Sequence, residues 1–378
     1  MSDEVRVREQ RHEAMKPWSP ATAVELEREA LEDEEMPRIR VSRKAAALGV
    51  LFVVSVIAFF VVVLPQLAGL EDTVQRIRDG DPWWLMVAFV CTGLSFGGYV
   101  LQFHGIFSPG APRQLRPVEA YQVTMAALAA TRLFAAAGAG GLALQAWAMR
   151  RAGMSRRMVA DRTITFLVVQ YWIYAAALVV FGLGLDAGVF SGKAPFAVTV
   201  LPAILAIVAM TIAGLIALTP TDLQRRLEHV TQGGGRFARV AQRLANVPAA
   251  ASTGIRAAIV HVRHPDRTVG GAFAYWGFNI AVLWAAFHAF GEAPPVAVLI
   301  MIYFVGMLGN LLPLPGGVGG VDGGMIGASI AFGIPSSLAI VAVLTYRAFA
   351  FWLPTLPGIV AYFQLRRTVA RWRAEAAV

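Results

Sequence analysis

The residues of this chain that could do chemistry are few and oddly placed. Arg132 and Arg347 fall inside apolar stretches. A guanidinium held at mid-membrane costs at least about 2.5 kcal/mol, so each needs a partner or a task. For Arg347 two readings stand: phosphate binding, or a structural ion pair with Asp322. For Arg132 no acid lies nearby in sequence, and phosphate binding leads. Two glycine-rich stretches accompany these arginines. One holds Gly138, Gly140 and Gly141 in AGAGG; the other holds Gly316, Gly317, Gly319 and Gly320 in PLPGGVGGVDGG. Glycine lets a headgroup approach the backbone closely. Each stretch also opens a short helical segment, Leu142–Ala152 and Val321–Phe332, whose first N–H groups suit an anion.

Asp322 sits in the first turn of the second short helix. It either stabilises that helix end or faces a cavity as a protonatable switch. Asn310 lies just before the Pro-Gly turn and either caps backbone groups or touches substrate. Arg162, beside Asp161 at the start of a span, reads as a snorkelling interfacial residue or as a gating group. Catalytic signals are weak. His261 and His264 have Asp266 nearby but no Cys, which does not make a metal site. His104 and His288 fit interfacial positions near span ends. Walker A, HExxH and GxSxG motifs are missing, so no enzyme activity, cofactor or metal is expected. Cys91 is the single cysteine, and no internal disulfide is possible.

The elements that must position these residues are membrane helices. Hydrophobic residues make up 57% of the 378 and charged residues 15%. Soluble domains carry about 25% charged residues, so most of this surface faces something other than water. Uncharged or nearly uncharged runs long enough to span cover residues 45–64, 83–103, 163–185, 195–218, 268–290 and 337–363. The net charge of +9 resides in loops beside these runs. That pattern marks the cytoplasmic side of a membrane and argues against nucleic acid. Residues 1–43 read as a disordered cytoplasmic tail closed by Arg38, Arg40, Arg43 and Lys44. Residues 44–365 form a single membrane domain with a basic cytoplasmic loop at 219–267, in which 237–244 could lie on the membrane surface. Residues 366–378 form a basic cytoplasmic tail. No cleaved leader is expected, because the first apolar run starts too far in.

Loop charge makes two further apolar segments anomalous. Val118–Met149 is followed by Arg150, Arg151, Arg156 and Arg157, which a single crossing would strand outside. A re-entrant hairpin turning at 137–141 keeps them inside. Val296–Phe332 starts and ends outside and reads as a second hairpin from the opposite face. The expected fold is therefore an all-α polytopic membrane protein, with six full spans and two oppositely oriented re-entrant helical hairpins. The hairpins repeat in sequence: Gly138 to Gly317 is 179 positions, and Gly153 to Gly333 is 180. With repeat units at about 83–185 and 268–363, this is an inverted repeat, an arrangement that supports alternating access. Irregular backbone at membrane depth must line a cavity or be buried in protein, so a polar cavity is expected between the turns.

The stretch NLLPLPGGVGGVDGG, then FGIPSS and LTYRAFAFWLPTLPG, resembles the C-terminal signature of the lysylphosphatidylglycerol synthase transmembrane-region, or flippase-like, family. GGLALQAWAMRRAGMS followed by DRT resembles its first-half motif, and the likeness covers roughly residues 45–367. Two departures stand out. AAAGAGGLALQ lacks the Pro and acid often found there, and the second-half acid is Asp322 where Glu is common. Chemistry needing two symmetric acids is thus not expected. The resemblance implies a flippase-like transporter of an anionic or polyprenyl-phosphate-linked lipid in the cell membrane, with both termini cytoplasmic. It does not imply aminoacyl-lipid synthesis, since only residues 364–378 follow the last span. The alternative is a non-transporting subunit that recruits an envelope-biosynthesis enzyme through residues 219–267 and the N-terminal tail.

Overall fold

The computed structural model describes residues 80–133, 139–218, 252, 254–263, 266–311, 317 and 319–376. They belong to one compact unit. Among the described residues every regular element is helical. The elements are α1 (Pro82–Phe107), α2 (Pro117–Leu133), α3 (Ala139–Arg151), α4 (Arg156–Asp186), α5 (Val200–Leu218), α6 (Arg267–Phe290), α7 (Val296–Met307), α8 (Gly320–Ala331), α9 (Ser336–Arg347) and α10 (Thr355–Ala376). A 3₁₀ turn, Leu308–Leu311, extends α7, and a π-helical turn, Ala348–Trp352, joins α9 to α10.

Five helical stretches among the described residues are long and apolar enough to cross a bilayer: Pro82–Phe107, Arg156–Asp186, Phe196–Leu218, Arg267–Phe290 and Ser336–Glu375. They coincide with five of the six expected spans; the run at 45–64 lies outside the described residues, as do 1–43 and the surface segment at 237–244. Large apolar side chains such as Phe89, Leu205, Leu215 and Val360 stay about half exposed. For a helix in hydrocarbon that costs nothing, because lipid solvates them as the core would.

The two halves pack reciprocally. α1 and α6 run antiparallel along their whole lengths. Asp81 N–H donates to Ala289 O at 3.0 Å at one end, and Gly105 faces Thr268 at the other. Between them the backbones nearly touch: a Cβ added to Gly98 would lie 2.7 Å from both Gly271 O and Tyr275 N. Small residues at a membrane helix crossing allow this approach, and Ser95 and Asn279 add polar contacts beside it. Gly98→Val therefore overpacks the crossing. We expect it to lower stability by about 1–3 kcal/mol, read as an earlier unfolding transition in detergent. Gly277→Val is the control: its Cβ would meet nothing within 4 Å, so no such loss is expected.

Each half contributes a pair of short helices folded back on each other, α2 with α3 and α7 with α8. In both pairs the contact is made through glycine. A Cβ on Gly141 would collide with Thr131 Oγ1 and Ala127 O, and one on Gly306 would collide with Met325. The short helices α3 and α8 end alike. Gly153 and Gly333 both adopt φ 89°. Met154 N–H donates to Met149 O at 3.2 Å, and Ile334 N–H donates to Ser329 O at 3.0 Å. These are the same left-handed glycine cap at positions 180 apart in the chain. The first helix of each pair then packs on the last span of the other half. Tyr174 Oη of α4 donates to Phe304 O of α7 at 2.7 Å, while α2 docks along α10.

The last span departs from the continuous helix expected at 337–363. It breaks at the π turn because Pro354 and Pro357 each remove a helical N–H donor. It also runs further, through the segment expected to be a tail. Thr368 Oγ1 donates to Gln122 Oε1 at 2.7 Å, and Trp372 Nε1 donates to Glu119 Oε1 at 3.0 Å. Arg113 bridges to Glu375 at 2.6 Å and stacks over the Trp372 ring. The Arg113 hydrogen bond holds the exposed Glu375 carboxyl below its ordinary pKa. Within the basic loop, residues 254–263 are helical, and Arg256 Nε donates to Ala217 O at 2.8 Å.

Candidate anion site at the break in the last span

The break at Ala348–Trp352 creates a specific problem. In an α-helix the N–H of residue 354 would serve the carbonyl of residue 350, and Pro354 has none. Arg132, arriving from the last turn of α2, supplies the missing donor. Its Nη2 donates to Ala350 O at 3.0 Å, and its Nη1 reaches Phe351 O and, at 3.3 Å, Thr355 Oγ1. The guanidinium also lies over two rings, Phe351 at 4.7 Å and Phe96 at 5.6 Å. Of the five guanidinium N–H groups, these contacts occupy three. The remaining donors of this half-buried residue, including Nε, have no protein acceptor among the described residues.

Arg347, the last residue of α9, approaches the same ring from its own side, its guanidinium 4.3 Å from the Phe351 centroid. It is buried, and so is Asp322. Arg347 Nε lies 2.6 Å from Asp322 Oδ1, close enough for a strong ion pair although the N–H does not align as a hydrogen bond. Asp322 is also the third residue of α8, and its Oδ2 accepts the Gly319 N–H at 2.9 Å. One carboxylate thus caps α8 and pairs with α9, so both structural readings of Asp322 and Arg347 are realised together.

The structure therefore brings Arg132, Arg347 and Asp322 into one cluster around Phe351. Two guanidinium groups act on each other there, with Tyr275, Tyr346 and Tyr99 around Arg132. No carboxylate pairs with Arg132 among the described residues. A cation–π stack stabilises a guanidinium by about 0.5–2 kcal/mol but leaves its charge in place. Among the described residues the cluster sets two guanidinium groups beside one carboxylate.

Of the other expected site residues, Gly319 meets the cluster through its N–H to Asp322, and several of the rest make packing or capping contacts. Arg162 Nη2 donates to Pro109 O at 2.6 Å and its Nη1 to Phe107 O, so it closes the C-terminus of α1, far along the chain from Asp322. Gly141 is a helix-packing glycine, and Gly140 opens α3 half-buried. Gly320 presents its carbonyl to Gly309, where no Cβ would fit. Gly317, at φ 65°, needs its missing side chain because Asn310 Oδ1 occupies that space. Gly319, at φ 82°, begins α8 with open space around it. Asn310 is exposed and donates weakly to Met307 Sδ. Gly138 and Gly316 lie outside the described residues. His261 Nδ1 meets Asp266 Oδ2 at 2.9 Å, and Asp266 caps α6 through the Thr268 and Val269 N–H groups. Partial burial pushes the Asp266 carboxyl up, but those hydrogen bonds and His261 outweigh it and hold it low.

Phe351, Tyr99 and Tyr275 were not singled out from sequence. The signal for Phe351 was available: Pro354 four residues after Ala350 marks an orphaned carbonyl, and a buried arginine is the donor such a carbonyl attracts.

A family model described as the lysylphosphatidylglycerol synthase TM region matches residues 46–358. A UPF0104 membrane protein of Methanothermobacter thermautotrophicus is 37% identical over 87 residues, 23% of this chain and 25% of that protein. A UPF0104 membrane protein of Methanocaldococcus jannaschii is 31% identical over 99 residues, 26% of this chain and 30% of that protein. The matched segments thus span less than a third of these curated relatives.

Proposed function

Because this chain belongs to the lysylphosphatidylglycerol synthase TM-region family, and is a multi-pass helical membrane protein, we propose that it moves an anionic lipid across the cell membrane. The observation that supports this is the electrostatic imbalance around Phe351. Arg132 and Arg347 share one ring, Asp322 is the carboxylate beside them among the described residues, and Arg132 keeps N–H donors available beyond those it gives to the broken helix. In a low-dielectric interior an uncompensated guanidinium is costly unless an anion completes it. A lipid phosphate is the anion that a membrane supplies in excess, and Arg binds phosphate through paired N–H groups.

In this reading the pairs α2–α3 and α7–α8 are re-entrant hairpins entering from opposite faces. The cytoplasmic placement of both termini follows from the loop charges. Asp322 is the coupling group. Its carboxylate partners Arg347, so it sets how much positive charge the cluster offers to phosphate.

The test is reconstitution of the full chain into liposomes carrying trace fluorescent lipids with identical acyl chains. Phosphatidylglycerol is expected to cross at least about tenfold faster than phosphatidylcholine: both carry the phosphate, but the choline cation cancels the headgroup charge and is repelled by the two guanidinium groups, and about 1.4 kcal/mol of that discrimination gives the ratio. Equal rates for the two headgroups, or rates no higher than in protein-free liposomes, would overturn the proposal.

A further inference from the structure

Two apolar side grooves run along the reciprocal faces of the molecule. One lies between α1, α2 and the Leu353–Pro357 turn, with a cavity volume of about 630 Å³. Its counterpart lies between α4 and α6, at about 500 Å³. The repeat predicts this pairing, since each groove sits between the first span of one half and the last span of the other. They differ in charge. The α4–α6 groove ends at the Asp266 carboxylate. The α1–α2 groove is walled by Phe96, the ring on which Arg132 stacks, and by the turn whose Thr355 hydroxyl Arg132 also holds.

We infer that the groove between α1, α2 and the Leu353–Pro357 turn is the acyl-chain subsite for a membrane lipid whose anionic headgroup sits at Arg132. The inference rests on the anionic-lipid reading above and adds where the tail lies and which of the two grooves takes it. Charge complementarity selects the groove, because an anionic lipid meets the Arg132 cation at one, and at the other meets a carboxylate already engaged with His261 and the N-terminus of α6. Size fits as well. Along α1 the groove extends from Phe89 to Val100, about 16 Å at 1.5 Å per residue. The groove is centred on the middle of α1, so from the Phe96 ring it offers a chain about 6–10 Å of apolar wall toward either end. The volume falls in the range of about 300–1,000 Å³ usual for small-ligand sites. Gly93 and Gly97 form part of its floor, and a Cβ on either would meet nothing within 4 Å. A side chain there would keep the lipid out without disturbing the helix contacts.

The experiment uses the full chain in nanodiscs with photoreactive lipids that carry a diazirine on the acyl chain. Phosphatidylglycerol and phosphatidylcholine probes share that chain, and crosslinked peptides are located by mass spectrometry. The phosphatidylglycerol probe is expected to label the Phe89–Val100 and Leu353–Pro357 segments at least about fivefold above phosphatidylcholine. Gly97→Phe should cut that labelling about tenfold, and Gly93→Phe should act likewise. Gly277→Phe, another open glycine on α6 outside the groove, should leave it unchanged and controls for bulk. Unfolding midpoints of all variants verify that the fold survives. Labelling insensitive to both plugs, or a groove that neither probe reaches because protein covers it, overturns the acyl subsite while liposome headgroup selectivity stands. Equal labelling by both probes overturns the link to Arg132. Loss of headgroup selectivity in the wild-type liposome assay is the separate failure of the underlying reading.

Discussion

Arg132→Ala is expected to destabilise the protein, and Pro354→Ala in the same chain is expected to restore most of that stability. The Arg132 side chain satisfies Ala350 O, which has no helical donor because residue 354 is proline. Removing the guanidinium leaves that carbonyl unsatisfied in an apolar region, at about 1–3 kcal/mol. The Phe96 and Phe351 stacks are lost as well, a further ~0.5–2 kcal/mol. Phe351 O suffers less, since Thr355 Oγ1 also donates to it at 2.8 Å. Alanine at 354 returns an N–H four residues after Ala350, and the helix can close across the break. The measurement is the unfolding midpoint in detergent of the two single variants and the double. Non-additivity favouring the double variant is the expected outcome, and simple additivity would show that Arg132 does not serve the broken helix. The same variants separate structure from function. The double variant should fold and still lack headgroup selectivity, because the restored helix carries no positive charge.

Asp322→Asn should be strongly destabilising. It leaves Arg347 buried without its counter-charge and weakens the cap on Gly319. Breaking a buried pair from one side costs about 3–5 kcal/mol. Arg347→Met alone should cost a similar amount, since the carboxylate is then stranded. The double variant Asp322→Asn/Arg347→Met removes both charges and should be markedly more stable than either single variant. Chemical unfolding monitored by helical circular dichroism gives the three values and their coupling. A double variant as unstable as the sum of the singles would mean that the two charges do not interact energetically. Transport should fall in all three if Asp322 couples charge to lipid binding. Arg132 contributes to the site in either case, because its partners lie on the π turn and not on α8.

The two predictions draw on different kinds of legibility. That the chain is a helical membrane protein followed from composition together with uncharged runs of about 20 residues, because a helix closes its backbone hydrogen bonds within such a run. Five spans could be placed for the same reason. The repeat was legible through glycine: Gly153 and Gly333, 180 positions apart, end their helices with the same positive φ. That geometry is local, and a Cβ is what it excludes. The arginines were legible as anomalies, since the cost of burying charge depends on residue type and depth, both visible in a linear pattern. Arg347 with Asp322 could be paired as one alternative for that reason.

What the sequence could not decide is which glycines bind and which merely let helices touch. Gly98, Gly141, Gly306 and Gly309 are packing residues only because specific partners arrive opposite them, and those partners are distant along the chain or across a turn. Nor could it show that Arg132 and Arg347 meet on Phe351, 219 residues from Arg132. That meeting requires α2 of one half to dock against the last span of the other, and it requires the span to break where Pro354 withholds its N–H. Local rules determined the helices, the caps and the cost of each buried charge. The reciprocal packing of the two halves decided where those charges converge, because hydrogen bonding and Coulomb attraction act over a few ångströms of space regardless of separation in sequence.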